Sequence, residues 1–143
     1  MKFETNKSDL NDVEFHLKLV DTQFVPNLSS YINIKAYSEK LIRLAVRCEI
    51  WFNHDMVGLL AYYKNDNEAF VTNLSILPSH NGQGLGSKLF SYFEEQLALV
   101  DITSIRLEVK PMNHKAIKFY HKMGLKIAGE DGGTITLTKI LTN

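Results

Sequence analysis

The chain has 143 residues, 45% of them hydrophobic and 22% charged, with 16 Lys plus Arg balanced by 16 Asp plus Glu. A chain of that length can bury a real core without disulfide or metal staples, so one domain over residues 1–143 is expected. The balanced charge argues against non-specific attraction to nucleic acid or anionic membrane, and the longest apolar run, Val57 to Tyr63, is too short to cross a bilayer. The N-terminal residues lack a secretory pattern and the single cysteine, Cys48, cannot form an internal disulfide. A reduced, cytoplasmic setting is therefore expected, for a monomer or homodimer. Cys48 reads as a small buried hydrophobe. The five histidines show no i, i+4 pairing, so they read as surface or polar-core residues and no metal is expected.

Asp9 to Val20 reads as a helix, with Leu10, Val13, Leu17 and Val20 on one face and Ser8 as its N-cap. A loop over Phe24 to Tyr31, broken by Pro26, leads to a second helix over Ile34 to Ala45. Arg47 to Phe52 and Met56 to Tyr63 are strand-like, joined by the turn Asn53-His54-Asp55. Glu68 to Ile76 is a third strand, ended by Pro78. From Gly84 the pattern turns helical, with Leu85, Leu89, Phe93 and Leu97 at four-residue steps. Ser104 to Val109 alternates as a strand, with Ile105, Leu107 and Val109 on one face and Arg106 and Glu108 on the other. Asn113 is a plausible N-cap for a helix over Lys115 to Met123, closed by Gly124. Lys126 to Ala128 and Thr134 to Ile140 finish as strands around the turn Asp131-Gly132-Gly133. The order α–α–β–β–β–α–β–α–β–β gives an α+β fold with a mixed, mostly antiparallel sheet flanked by helices.

The segment most suggestive of chemistry is Asn81-Gly82-Gln83-Gly84-Leu85-Gly86-Ser87, where a strand breaks into a glycine-dense turn and then a helix. Unpaired backbone N–H groups at such a helix N-terminus suit a phosphate or pyrophosphate. The glycines miss the dinucleotide pattern G-x-G-x-x-G, and the P-loop Gly-Lys-Ser/Thr is absent. Alone they fit a tight turn with no ligand equally well. A second stretch, about thirty residues on, carries Asn113, Ala116, Tyr120 and Gly124 at spacings of three, four and four.

Together the two stretches resemble the GNAT superfamily of acyl-CoA-dependent N-acetyltransferases. The family loop Gln/Arg-x-x-Gly-x-Gly/Ala aligns with Asn81 to Gly86, and Asn-x-x-Ala-x-x-x-Tyr-x-x-x-Gly-Phe aligns with Asn113, Ala116, Tyr120, Gly124 and Leu125. The resemblance is close over about Glu68 to Ile127. Asn81 departs by lacking a long polar arm, and Leu125 replaces Phe.

The resemblance implies a sheet whose strand ending at Leu77 splays from Ser104 to Val109. Acetyl-CoA would be the acyl donor, its pantetheine arm in the wedge on backbone groups near Ile76 and Leu77. The resemblance puts the pyrophosphate on the N–H groups of Gly82, Gln83, Gly84, Leu85, Gly86 and Ser87, beside Asn81. Asn113 belongs to the same cofactor set. Lys88, Lys115, Lys118 and Lys122 surround the two helices, and one or two could meet the 3′-phosphate; their spacing also fits a solvated face.

Tyr120 is in register with the tyrosine that relatives use as general acid for the leaving thiolate. The alternative is a core aromatic on the helix face shared with Ala116 and Met123, which would still line the site. For the base, the position before Leu-x-Val where many members carry Glu is here Asn73. Glu108, twelve residues before the tyrosine in Leu107-Glu108-Val109, is the alternative, as in ribosomal-protein N-terminal acetyltransferases. A water relay without a single base is the other account. Phe24, Leu28 and Tyr31, with Pro26, would form a lid over the acceptor, and Asn73 would face it. The implied activity is acetyl transfer to a small-molecule or peptide amine. The competing reading is a GNAT-fold acyl-CoA sensor that has lost turnover, which Asn73 and Asn81 favour.

Overall fold

The computed structural model describes residues 1–141. Its strands are β1 (Lys2–Thr5), β2 (Val46–Phe52), β3 (Asp55–Asn65), β4 (Glu68–Ile76), β5 (Ser104–Val109), β6 (Lys126–Asp131) and β7 (Thr134–Ile140). Its helices are α1 (Leu10–Val20), α2 (Ile34–Leu44), α3 (Leu85–Leu99) and α4 (His114–Lys122). The strands form one seven-stranded sheet ordered β1-β2-β3-β4-β5-β7-β6. Every pair is antiparallel except β4–β5, which is parallel. A parallel pair needs a crossover, and α3 supplies it.

The helices lie in two layers, and adjacent residues of β3 show which is which. Tyr62 packs on Phe93 of α3, while Tyr63, pointing to the opposite face, lies under the Lys40 ammonium of α2. The α3 layer continues through Phe90, which meets Phe119 and Tyr120 of α4. Fully buried Phe90, Phe93, Leu89 and Leu97 fix α3 against the sheet. The four-residue apolar steps that imply the helix thus define its buried stripe.

Three local expectations are corrected. Lys2–Thr5 is a strand, paired from Lys2 opposite Trp51 to Thr5 opposite Cys48. One apolar residue in four gives it no sequence signature, so tertiary pairing makes it. The N-cap of α1 is Asp9, not Ser8: Asp9 accepts from the Asp12 N–H at 2.9 Å, and Asp12 accepts from the Asp9 N–H at 3.0 Å. Ser8 instead donates its hydroxyl to Glu49. Finally, β6 runs on to Asp131 with every residue exposed, an outer strand held by pairing rather than by burial.

The feature that positions the site is a mismatch inside the sheet. Between β3 and β4 the register jumps from Ala61 opposite Asn73 to Tyr62 opposite Val71, leaving Thr72 as an extra residue. Such a bulge bends and twists its strand. Pairing of β4 with β5 stops at that level, the last partners being Val71 and Leu107. Beyond it both strands continue, to Ile76 and to Val109, paired with β3 and β7 but not with each other. The sheet splits there.

Candidate active site

The split opens into a cleft of about 800 Å³, lined by β4 and β5, the turn before α3, the face of α4, and the segment joining α1 to α2. Leu77 donates its N–H to the Val57 carbonyl at 2.8 Å. By antiparallel alternation, the N–H and C=O groups of Leu74 and Ile76 therefore point away from β3, into the split. With the Ile76 carbonyl already accepting from Gln23 Nε2, the Leu74 groups and the Ile76 N–H offer an incoming extended amide the edge that another strand would use. Leu77 itself is spent on the sheet, a correction to its expected place beside Ile76.

Gly82 and Gly84 have φ of +78° and +72°, so an L side chain at either is strained although nothing lies within 4 Å of a Cβ there. Gly86 is different, since a Cβ there would sit 3.5 Å from Phe119 of α4. Gly84 is the N-cap of α3 and has no side-chain cap. The first N–H groups of α3 are thus left for an anion, and no acidic residue occupies the first turn to compete. An extended amide arm joined to a diphosphate matches this arrangement, arm along β4 and diphosphate on the turn.

Ile76, Asn81, Gly82, Gly84, Leu85, Gly86, Ser87, Asn113 and Tyr120 all line the cleft, as do Glu108, Phe24, Leu28, Tyr31 and Asn73. Leu77, Gln83 and Lys88 do not line it. Lys88 is exposed on the far side of α3, in a shallow concavity with Phe3, Ser91 and Tyr92. Of the lysines around α3 and α4, Lys115 reaches the cleft lining. Asn113 caps α4 by accepting from the Ala116 N–H at 3.2 Å.

Tyr120 is 9% exposed, flanked by Phe90 and Phe119. Burial raises its phenol pKa well above the usual value of 10.0. It holds its proton and can donate it. Glu108 lies exposed at the rim, one residue past the last β4–β5 pair. The lid segment is tied down by Asp21, whose carboxylate accepts from the Ser29 N–H and hydroxyl, both at 2.7 Å.

Sequence reasoning missed Gln23. Its Nε2 donates to the cleft-facing Ile76 carbonyl at 3.2 Å and its Oε1 accepts from Asn81 Nδ2 at 3.1 Å. It joins the end of α1 to the glycine turn across 58 residues of chain, and no local pattern announces that. His16 and Ser75 were missed too. His16 Nδ1 is 3.2 Å from the Met56 carbonyl and its Nε2 is 2.9 Å from Ser75 Oγ. Ser75 Oγ in turn lies 2.9 Å from the Asn73 amide. Desolvation lowers the His16 pKa from 6.5 to about 4, so the ring is neutral. The cysteine reading holds: Cys48 is fully buried, and burial pushes its thiol up to about 12. Among the described residues no group of His, Cys, Asp and Glu is placed to hold a metal, and no helix is long and apolar enough to cross a membrane.

Known proteins share this fold. The structure of the PaiA N-acetyltransferase from Thermoplasma acidophilum in complex with coenzyme A superimposes with a TM-score of 0.79 at 19% identity, covering 98% of this chain and 99% of that one. The ribosomal-protein-S18-alanine N-acetyltransferase from Escherichia coli does so with a TM-score of 0.75 at 17% identity, covering 99% and 96%. In sequence, a candidate ribosomal protein bS18-alanine N-acetyltransferase of Bacillus subtilis (strain 168) is 34% identical over 91 residues, 64% of this chain. That match spans about half of the relative's own length, 52%. The acetyltransferase (GNAT) family model matches residues 17–125, which takes in the split, the glycine turn and Tyr120. The chain belongs to the GNAT acetyltransferase family.

Proposed function

We propose that this protein transfers an acetyl group from acetyl-CoA to a primary amine, and that the amine is the N-terminus of a polypeptide. One observation carries the transfer: the break in β4–β5 pairing after Val71 and Leu107, which turns the Leu74 and Ile76 backbone groups toward a cleft ending at an uncapped helix N-terminus. Both relatives named for alanine N-acetylation support a polypeptide acceptor. An apolar wall of Phe24, Leu28 and Ile32, suited to a small first side chain, supports it as well.

Bound acetyl-CoA would supply the thioester whose acyl carbon the amine attacks. The chain's residues then divide the remaining work. Backbone groups of Leu74 and Ile76 hold the pantetheine amides, and the N–H groups from Gly84 to Ser87 hold the diphosphate. Tyr120 Oη, which lines the cleft and holds its proton, gives that proton to the departing sulfur. Glu108, at the solvent rim, takes the amine's proton through water. The chain acts as one domain, because the acceptor wall of Phe24, Leu28 and Ile32 and the cofactor turn from Gly82 to Ser87, distant in sequence, line one cleft.

A non-catalytic acyl-CoA sensor is the second reading, favoured by Asn73, whose amide cannot take a proton. One experiment separates the two. Acetyl-CoA raises the melting temperature under either reading, but only an enzyme releases free thiol when given peptides with a free N-terminal alanine, polyamines or amino sugars. Release with the peptides alone supports the acceptor class stated here. Release with none of the amines supports the sensor.

A further inference from the structure

Among the described residues two buried side-chain polar atoms have no hydrogen-bond partner, Tyr63 Oη and Asn73 Nδ2. Of these two residues only Asn73 lines the cleft. Its amide is held by the other end, where the Ser75 hydroxyl donates to Asn73 Oδ1 at 2.9 Å. That bond leaves the NH₂, with its two hydrogens, as the free end. Tyr37, beside Asn73, is taken up by Thr72: its hydroxyl donates to the Thr72 carbonyl at 3.0 Å and lies 2.7 Å from the Thr72 hydroxyl. Asn73 is 3% exposed. A buried donor without an acceptor is costly, and an oxygen brought into the cleft relieves it.

The face of the sheet decides which molecule brings that oxygen. Asn73 pairs with Ala61, which shares a face of β3 with Tyr63. Tyr63 lies under Lys40 of α2, and Ser75 Oγ is 2.9 Å from His16 Nε2 of α1, so Asn73 faces the α1–α2 layer. The glycine turn opens α3, which packs on the opposite face through Phe93 and Tyr62. Asn73 thus stands away from the diphosphate turn and on the side of Phe24, Leu28 and Ile32, in the segment joining α1 to α2. The attacking amine must keep its lone pair for the acyl carbon, so an N–H aimed at its nitrogen would oppose transfer. The oxygen therefore belongs to the acceptor beyond its nitrogen. In a polypeptide the first such backbone oxygen is the carbonyl of residue one.

We infer that Asn73 Nδ2 donates a hydrogen bond to the carbonyl oxygen of the acceptor's first residue, and that Ser75 is a positioning residue that holds the amide in this orientation. The inference rests on the acetyltransferase reading with a polypeptide acceptor and names a specificity determinant within it. An α-amine with a carbonyl on the neighbouring carbon satisfies the donor. A polyamine, or an ε-amine on a lysine side chain, has no oxygen at that distance and leaves the donor buried and unpaired. The position where a carboxylate base is missing thus gains a binding role, and deprotonation falls to another group.

The test compares a peptide with a free N-terminal alanine and the same peptide with its first carbonyl oxygen replaced by sulfur, a much weaker hydrogen-bond acceptor. The oxygen-to-sulfur ratio of kcat/KM should be about tenfold larger in the wild type than in Asn73→Ala, the size of one hydrogen bond. Comparing ratios cancels any difference in reactivity between the two amines. Acetyl-CoA should raise the melting temperature of both proteins equally, which reports an intact fold. Asn73→Asp keeps the shape but offers lone pairs in place of hydrogens, so it should lose the ratio as well, and it decides the matter if the alanine variant does not fold. Ser75→Ala, which frees the amide to turn, should lose part of the ratio, and Ser75→Thr should restore it. Equal ratios in the wild type and the Asn73 variants would overturn the proposal, as would a wild type that acetylates only polyamines or amino sugars. If the wild type releases no thiol with any amine, the acetyltransferase reading fails separately. The ratio is then taken from calorimetric Kd values of the two peptides in the presence of coenzyme A, with the same outcomes deciding.

Discussion

Tyr120 is where the chemistry is most exposed to test. Tyr120→Phe keeps the ring packed between Phe90 and Phe119 and removes only the hydroxyl. Single-turnover rates should fall by about 10²–10⁴-fold, the usual contribution of a general acid, with acetyl-CoA affinity retained. A near-native rate in the variant would return Tyr120 to the core. His16 offers a stability test in which the sign is fixed. Its folded pKa of about 4 lies below the unfolded 6.5, so between those values the unfolded chain binds a proton that the folded one refuses. Its contribution is complete above pH 6.5 and is lost as pH falls toward 4, to the extent of about 3 kcal/mol. Denaturant titrations at pH 7 and pH 4.5 should show a larger loss in the wild type than in His16→Gln. Equal losses would contradict the assignment. The place of Tyr120 in the cleft lining was legible in sequence because it belongs to a spaced motif. His16, Ser75 and Gln23 were not, because their partners lie 40, 59, 53 and 58 residues away.

At the scale of elements, the sequence reading was good where one strong periodic face decided the structure. Both long helical patterns after Gly84 appear as α3 and α4, with α4 capped by Asn113 as expected. It failed where pairing rather than periodicity makes the element, as in β1 and the outer half of β6. The split itself was expected from the family resemblance. Its local cause, the bulge at Thr72, leaves no trace in a sequence whose alternation runs on through it. The turn before α3 carries its own test. At Gly84, φ is +72° and a Cβ meets open space, so Gly84→Glu adds backbone strain and a negative charge beside the N–H groups that await an anion. The fold should persist with a modestly lower melting temperature, and stabilisation by acetyl-CoA should vanish. Persistence of the ligand-induced shift in that variant would remove the turn from the site.

For the molecule as a whole, the N-terminal segment is held by one buried charge. Glu49 is 0% exposed. Its carboxylate accepts from the N–H groups of Lys7 and Ser8, from the Ser8 hydroxyl, and from Trp51 Nε1 at 3.0 Å. Arg47, itself buried, stands 3.6 Å away and donates to Ser8 Oγ and to the Ser8 carbonyl. That network bolts the β1–α1 junction to β2, and α1 carries Gln23 and the lid at its far end. Glu49→Ala strands the Arg47 charge and four donors, so it should cost about 3–5 kcal/mol in denaturant titration. A loss within experimental error would mean that the network adds nothing to the frame.

The central claim is that the cleft moves an acetyl group onto a polypeptide N-terminus, and mass spectrometry of the product tests it most directly. Acetyl-CoA, the protein and a peptide with a free N-terminal alanine and an internal lysine should yield one acetyl group per peptide, located on the terminal nitrogen, with thiol released in equal amount. Acetyl-CoA that stabilises the protein yet leaves every tested amine unmodified, with no thiol released, would contradict it.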